Sequence, residues 1–267
     1  MSTGGSGKTG SRETSEKLAK KRPVVIMGAM DVETDFLIEQ TGPCHLAETG
    51  MWRFYEGSLD GWPTVIADTL MGSVNAAAAM TLAIQKYDPV CLIAQGTSGA
   101  HRADIHYRDI VVGESVVQLG LRVSGPRPEG AGSDVTEWEY PGSEFRENDR
   151  HLMRQILHSD ASLVRLAESV PYEDGRRVTG TIASGDMWNR EADMIHAFRN
   201  RFGTECEEME SFAVFQVARA FKVPALAIRI ISNNELIPGE EYDRNIGVTC
   251  QRYVLDVVRA IIKEQKK

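Results

Sequence analysis

The sequence predicts a single α/β domain, because of its length, the alternation of its segments and the composition of its strands. The chain has 267 residues, of which 42% are hydrophobic, enough to build one sizeable core. Short apolar runs alternate with segments of helical periodicity. Several of these runs, such as residues 224–231, are apolar almost throughout, which is typical of strands covered on both faces. We therefore expect a sheet with helices on both sides and ligand sites at the carboxyl ends of its strands.

The first 22 residues differ from the rest. They are rich in Gly, Ser, Thr and Lys and nearly free of apolar residues, a composition typical of disorder. They contain no apolar stretch of the kind found in a secretory signal. The sequence therefore predicts a disordered tail over residues 1–22 and one domain over residues 23–267.

The first half of the domain contains a hairpin and two helices among its strands. Asp60 and Gly61 form a turn signal between two apolar segments, which predicts the hairpin. An Ala-rich run after Gly72 and Ser73 predicts a helix. The expected strands are 23–27, 54–59, 64–69, 90–94 and 109–117, and the expected helices are 31–40 and 74–87.

The second half begins with a segment rich in Pro and Gly, residues 122–143, which predicts a long loop. Apolar residues at helical spacing then alternate with two more apolar runs, and the chain closes on an amphipathic helix. The expected helices are 151–169, 190–202, 210–221 and 247–265, and the expected strands are 177–183 and 224–231.

Charge and cysteine usage exclude several functions. Acidic residues outnumber basic ones by 38 to 30, and the net charge of −8 argues against binding to a nucleic-acid backbone. No apolar run is long enough to span a bilayer, so no membrane partner is expected. The four cysteines form no C-x-x-C pair, and no His/Cys cluster has metal-ligand spacing. We therefore expect no metal or other cofactor, and reduced thiols in a cytoplasmic protein.

Five segments place polar residues at predicted strand ends or helix starts, where a plain core would not need them. Small residues in the first two segments allow backbone N–H groups to approach a ligand. Carboxylates beside apolar strands allow pKa tuning. The segments are 28–33 (GAMDVE), 96–100 (GTSGA), 184–189 (SGDMWN), 208–210 (EME) and 229–233 (RIISN).

Structural explanations compete with function at each of these positions. Glu33 and Glu210 could be first-turn carboxylates that the helix dipole favours. Arg229, a charge inside an apolar strand, could form a structural ion pair. Trp188 could pack in the core rather than stack on a flat ligand. The two glycines at 96 and 99 could serve ordinary turns.

The order of these motifs along the chain resembles the methylthioadenosine/S-adenosylhomocysteine nucleosidases of the purine nucleoside phosphorylase/hydrolase superfamily. The resemblance runs from about residue 24 to the C-terminal helix and includes MGSVNAA at 71–77. It implies a three-layer α/β/α domain with a central mixed, partly barrel-like sheet, assembled as a homodimer or a larger ring. It also implies a purine nucleoside substrate whose N-glycosidic bond is hydrolysed, releasing adenine.

The resemblance assigns roles by position. Glu33 matches the carboxylate that holds and deprotonates the attacking water, and Arg229 matches the arginine that helps to hold it. Trp188 matches the aromatic residue that stacks on the purine, and Asn189 the residue whose backbone bonds the purine edge. The other matches line the ligand: Met209 and Glu210 at the ribose, Thr97, Ser98 and Gly99 below ribose and base, Met30 near the 5′ substituent, and Glu208 and Ser232 within the substrate-binding motifs.

One catalytic position departs from the family pattern. The family has an aspartic acid that protonates N7 of the purine, whereas this chain has Asn233, whose amide donates a hydrogen bond but no proton. A phosphorylase on the same fold, a catalytically weak nucleoside-binding protein and a changed base preference are therefore alternatives, since relatives that act on 6-oxopurines use an Asn at N7. The first loop, 28–33, has two carboxylates and no arginine, which favours water over phosphate as the nucleophile.

Overall fold

Twelve strands and six α-helices make up the part of the chain that the computed structural model describes, residues 21–267. All but the last two residues of the predicted tail lie outside the described residues. The strands are β1 (Val24–Gly28), β2 (His45–Thr49), β3 (Trp52–Leu59), β4 (Trp62–Asp68), β5 (Cys91–Ala100), β6 (Ile110–Gln118), β7 (Ser143–Glu147), β8 (Arg150–Arg154), β9 (Ile156–His158), β10 (Arg177–Ser184), β11 (Thr204–Glu208) and β12 (Ala225–Asn233). The helices are α1 (Asp31–Gln40), α2 (Ser73–Tyr87), α3 (Ala161–Ser169), α4 (Ala192–Phe202), α5 (Ser211–Phe221) and α6 (Gly247–Gln265).

Ten strands form one mixed sheet that is partly closed. Their order is β11-β10-β6-β12-β5-β1-β4-β3-β2, and β9 pairs with β6. β1 runs parallel to β4 and β5, while β12 runs antiparallel to β6. A further antiparallel pairing joins β11 to β5 and closes the five strands from β11 to β5 into a barrel. The predicted mixed, partly barrel-like sheet is confirmed.

Helices cover both faces of this sheet, as predicted. Leucine, valine and isoleucine side chains of α1, α3 and α6 pack in one apolar cluster. Helices α2 and α5 contribute mainly alanines, with Met80, Phe212 and Phe215, to the cluster on the other side. Each fully buried leucine, isoleucine, valine, methionine or phenylalanine side chain stabilises the fold by about 1.5–3 kcal/mol. Within residues 21–267, the helices are all too short or too polar to span a lipid bilayer.

A buried glutamine connects the last helix to the first. The Gln251 side chain of α6 accepts from the Leu37 backbone N–H at 3.0 Å and donates to the Val32 carbonyl at 2.7 Å. Gly247, at the start of α6, packs so close to the Val32 carbonyl that any side chain there would collide with it. These contacts fix the turn of α1 that carries Glu33.

The sequence analysis ended a strand at residue 94 and placed residues 96–100 in the segment after it, and that prediction is wrong. The segment is the second half of β5, because β12 pairs with it on one side and β11 on the other. Small residues allow the two partner strands to close around it. The site segment therefore belongs to the rigid sheet.

The predicted helix over 151–169 is correct only in its last part, α3. Residues 150–158 instead form β8 and β9, which pair with β7 and β6. Pairing with distant strands overrides the local apolar spacing. Strands β2 and β11 were not predicted, because their sequences, HLAET and TECEE, are too polar to read as apolar strands.

Candidate active site

A cavity of about 340 Å³ opens where β1, β5, β10, β11 and β12 end or turn into the following segment. All thirteen residues that the sequence singled out line it. They are Met30, Glu33, Thr97, Ser98, Gly99, Trp188, Asn189, Glu208, Met209, Glu210, Arg229, Ser232 and Asn233. The lining also includes six residues to which the sequence analysis gave no role. Three lie within the motif segments, Ala29, Met71 and Met187, and three lie outside them, Glu207, Tyr242 and Arg244.

Glu33 is buried at the cavity wall and held by three donors. One carboxylate oxygen accepts from the Ala29 backbone N–H at 2.9 Å. The other accepts from the backbone N–H of Thr97 at 2.8 Å and from its hydroxyl at 3.0 Å. With 2% of its surface exposed, Glu33 is not a solvated first-turn residue. The carboxylate is fixed beside the space that a ligand would enter.

Gly96 brings Glu33 and Arg229 together. A Cβ atom at this position would lie 2.6 Å from Glu33 Oε1 and 2.8 Å from Arg229 Nη1. Both distances are too short for non-bonded atoms, so only glycine allows the two charged groups to approach across β5. The glycine therefore serves the site rather than a turn.

Arg229 projects from the centre of β12 and is 1% exposed. Its guanidinium pairs with Glu208, lies 3.5 Å from Glu210 Oε2 and donates to Ser211 Oγ at 3.1 Å. Burial opposes the charge, but the neighbouring carboxylates Glu208, Glu210 and Glu33 outweigh it and raise the pKa of Arg229. The arginine remains charged among three carboxylates, so the ion pair is part of the site itself.

Burial raises the pKa of Glu210 to about 8. The positive charge of Arg229 lowers this pKa, whereas the negative charges of Glu208 and Glu33 raise it further. One of its oxygens accepts from the Gly72 backbone N–H at 2.9 Å, just before α2. A carboxyl group with this pKa carries a proton near neutral pH. Protonated, it can donate to a ligand hydroxyl as well as accept from one.

Asn233 is the last residue of β12, and hydrogen bonds to Ser232 and Glu235 orient its side-chain amide. Its Oδ1 lies 3.0 Å from Ser232 Oγ, and its Nδ2 donates to Glu235 Oε1 at 3.3 Å. The adjacent Asn234 instead donates to the carbonyls of Arg102 and Ile105, both at 2.8 Å, and does not line the cavity. Asn233 therefore supplies a directed N–H donor, while Asn234 is structural.

Glu207 is the most consequential residue that the sequence analysis missed. It accepts from the Asn189 backbone N–H at 3.1 Å and lies 2.8 Å from His101 Nε2. The resemblance assigns the backbone of Asn189 to the purine edge, but its N–H donates here to a side chain of the protein. The missed signal was the polar strand β11, whose last residue, Glu208, is the first residue of the EME segment.

Trp188 lies at the cavity mouth with 60% of its surface exposed, so it is not a core residue. Its ring centroid is 4.9 Å from that of Tyr242, at an interplanar angle of 72°. Arg244, two residues after Tyr242, pairs with Asp31 at 2.5 Å. The mouth is therefore bordered by the segment between β12 and α6, which the sequence analysis left without a role.

A cavity of buried carboxylates, arginine and amide at the carboxyl ends of strands defines an α/β enzyme that acts on a small polar molecule. The phosphorylase superfamily model matches residues 23–263. The chain belongs to the phosphorylase superfamily, and the resemblance drawn from its motifs is confirmed at that level.

This chain matches related proteins over almost their whole length. The chain is 28% identical to the 5′-methylthioadenosine/S-adenosylhomocysteine nucleosidase of Aeromonas salmonicida, over 90% of this chain and 99% of the relative. It is 29% identical to the enzyme of that name from Halalkalibacterium halodurans, over 87% of this chain and 96% of the relative. A crystal structure of the Colwellia psychrerythraea nucleosidase with adenine matches with a TM-score of 0.73 at 24% identity, covering 90% of this chain and 96% of that one.

Proposed function

We propose that this chain hydrolyses the N-glycosidic bond of nucleosides of the methylthioadenosine and S-adenosylhomocysteine type, releasing adenine. The observation that carries the proposal is the Glu33 carboxylate, buried at the cavity wall and fixed by three donors next to Arg229. A carboxylate in this setting can hold a water molecule and take its proton as the water attacks C1′. The curated nucleosidases named above support the same reaction.

The charges of the cavity favour water over phosphate. Phosphorolysis needs free cations or N–H groups for an anion. Among the described residues that line the cavity, Arg229 and Arg244 are the arginines, and both already pair with carboxylates. The same wall carries the carboxylates of Glu33 and Glu208, which repel a phosphate. Hydrolysis therefore fits better than phosphorolysis.

In the proposed reaction, the sugar passes through an oxocarbenium-like state as the bond from C1′ to the purine breaks. Glu33 removes a proton from the attacking water, with Arg229 helping to hold that water. Glu210 and Met209 bind the ribose, and Trp188 covers the purine. Asn233 donates a hydrogen bond to N7 of the departing base, and the base takes its proton from solvent, since an amide cannot supply one.

Product analysis tests this proposal. The purified chain is incubated with methylthioadenosine, with and without phosphate, and the free base and the sugar product are identified. We expect adenine and methylthioribose without phosphate, no acceleration by phosphate, and a loss of at least about 10²-fold in Glu33→Gln. A phosphate requirement with a sugar 1-phosphate product would indicate a phosphorylase. Tight binding without turnover would indicate a nucleoside-binding protein.

The proposal includes a homodimer. An exposed apolar surface beside the cavity supports it: Met51, Leu70, Met71 and Val74 are each more than a third exposed, and Met71 also lines the cavity. Trp52, next to Met51, donates to Asn75 at 3.3 Å, which connects the two parts of this surface. A second copy would bury these side chains and extend the cavity wall.

Analytical ultracentrifugation tests the dimer. The wild-type chain is expected to sediment as a dimer, and Val74→Asp to dissociate it, because Val74 is the most exposed of the four side chains at 77%. Val123→Asp, at an exposed position in the loop after β6, is the matched control. A monomeric wild-type chain at micromolar concentration would contradict this part of the proposal.

A cytoplasmic location completes the proposal. Its support is the state of the cysteines: Cys44, Cys91, Cys206 and Cys250 are free, as is typical of proteins from reducing compartments. Burial raises the pKa of Cys91, Cys206 and Cys250 to about 12, so these thiols behave as small apolar side chains.

A further inference from the structure

We propose that the base end of the cavity recognises 6-oxopurines through Glu207 and Asn233, so that nucleosides of hypoxanthine or guanine are substrates alongside those of adenine. This inference rests on the proposed function, because it assumes that the cavity binds a purine nucleoside. It adds a residue, Glu207, that selects the base.

The sheet places the two side chains on either side of a glycine. Gly99 of β5 pairs with Asn233 of β12 on one side and with Glu207 of β11 on the other. Because neighbouring strands lie about 4.8 Å apart, the two backbones are about 10 Å apart across Gly99. Directly opposed residues project from the same face of a sheet, and all three line the cavity. Because Gly99 has no side chain, a flat ring can lie against its backbone between the side chains of Glu207 and Asn233.

Glu207 is held rigidly in this position. His101 is 1% exposed, with Nε2 at 2.8 Å from the carboxylate and Nδ1 at 2.7 Å from Thr204 Oγ1. Because an ionised carboxylate only accepts, the histidine proton that it bonds is on Nε2. The second carboxylate oxygen accepts from the Asn189 N–H at 3.1 Å. The oxygen that faces His101 also accepts from Asn189 Nδ2 at 3.4 Å, so the second acceptor position of the other oxygen, Oε1, is the one left for a donor on the ligand.

The hydrogen-bonding pattern of the purine decides which base fits. A 6-oxopurine has an N–H donor at N1, which matches a carboxylate, and guanine adds an amino donor at C2. Adenine has a lone pair at N1, which an ionised carboxylate repels, and it keeps only its 6-amino group as a donor. The Asn189 N–H, which could donate to N1 of adenine, already donates to Glu207. At the opposite end, Asn233 Nδ2 can donate to N7 or O6.

Binding of free bases tests the inference directly. Dissociation constants for hypoxanthine and adenine are measured by calorimetry for the wild-type chain and for Glu207→Gln. We expect the wild type to bind hypoxanthine more tightly. Glu207→Gln should weaken hypoxanthine binding by about 10- to 100-fold, as for a lost charged hydrogen bond. Because its amide can donate to N1 of adenine, the order of the two bases should reverse.

Glu205→Gln is the matched control. Glu205 lies two residues earlier on β11 and is also buried, but it pairs with Arg102 at 2.8 Å and Arg199 at 2.9 Å and does not line the cavity. It reports the cost of removing a carboxylate from this strand. We expect it to leave the ratio of the two affinities unchanged. Equal weakening of both bases by Glu207→Gln would assign Glu207 a structural role and overturn the inference.

Turnover assays separate this inference from the proposed function. Base release is measured for methylthioadenosine and for its 6-oxo analogue, methylthioinosine. Cleavage of the first, with no cleavage of the second and no hypoxanthine binding, would overturn the inference and leave the proposed hydrolase intact. Glu207-dependent binding of hypoxanthine without cleavage of either nucleoside would overturn the hydrolase and support the base recognition. Cleavage of both, with a ratio that Glu207→Gln reverses, would support both.

Discussion

Asn233 limits the help that a departing adenine can receive, because its amide donates a hydrogen bond but holds no transferable proton. We expect Asn233→Asp to raise adenine release from methylthioadenosine by about 10²–10⁴-fold, the usual contribution of a general acid. Glu235, now bonded to Asn233 Nδ2 at 3.3 Å, would repel the new carboxylate and favour its protonated form. Single-turnover rates of the two forms provide the measurement.

Inosine is the control substrate for this substitution. An aspartate that retains its proton bonds N7 but offers no second amide proton to O6, so cleavage of the 6-oxopurine should fall while adenine release rises. If the rate with methylthioadenosine does not change, protonation of N7 is not the slow step, and the role assigned to position 233 is wrong.

Trp188 is expected to contribute to affinity and hardly to stability. Its ring is largely exposed and contacts Tyr242 at the cavity mouth. Trp188→Ala should therefore weaken adenine and methylthioadenosine alike, by about 0.5–1.5 kcal/mol, because stacking does not depend on the sugar. The unfolding free energy should change by no more than about 0.5 kcal/mol. A large drop in the urea midpoint with unchanged affinities would contradict this role.

At the scale of elements, local patterns predicted the helices that carry their own signals. The limits of α1 and α6, Asp31–Gln40 and Gly247–Gln265, agree with the prediction, because the acidic first turn of α1 and the helical periodicity of α6 are local signals. β11 could not be predicted in this way. Its carboxylates Glu207 and Glu205 are satisfied by His101 and Arg102, which only the closed barrel brings close.

The same distinction applies to the cavity. Motif order predicted its residues from strand ends and helix starts. Glu207 was missed because its role depends on the register of β11 against Gly99. Tyr242 and Arg244 were missed because the segment before α6 has no periodic pattern, and only its fold over α1 brings Arg244 to Asp31. The motifs therefore predict the cavity residues that they contain. Glu207, Tyr242 and Arg244 lie outside the motifs and reach the cavity only through tertiary contacts.

The connection between α6 and α1 leads to a prediction about an element rather than a site residue. Gln251→Met removes two side-chain hydrogen bonds that tie α6 to α1, one from the Leu37 N–H and one to the Val32 carbonyl. We expect a loss of about 1–3 kcal/mol in unfolding free energy, since each of the two hydrogen bonds contributes about 0.5–1.5 kcal/mol. Urea unfolding measures the loss.

Gln265→Met, at the exposed end of the same helix, is the control and should be nearly neutral. Because α1 carries Glu33, kcat should also fall in Gln251→Met under conditions where the protein remains folded. Full activity in a destabilised Gln251→Met protein would show that α6 does not position the carboxylate.

For the whole molecule, the charged cluster should make stability depend on pH. Glu33, Glu208 and Glu210 share a single buried arginine, Arg229, and burial raises the pKa of Glu210 to about 8 from its ordinary value of 4.5. Above pH 4.5 the unfolded chain loses this proton while the folded chain keeps it. The contribution of Glu210 to stability is therefore fully present below about pH 4.5 and declines as pH rises towards about 8.

Glu210→Gln isolates this effect, because glutamine keeps the shape of the side chain and has no proton to lose. Urea unfolding of the wild type and the variant is compared at pH 5.5, 6.5 and 7.5. We expect the wild type to lose stability relative to Glu210→Gln with rising pH, by up to about 1.4 kcal/mol per pH unit. Other titrating groups cancel in this difference, since both proteins carry them. A difference that stays constant over this range would mean that Glu210 is ionised throughout, with Arg229 offsetting its burial. A ribose site that relies on a protonated Glu210 would then be excluded.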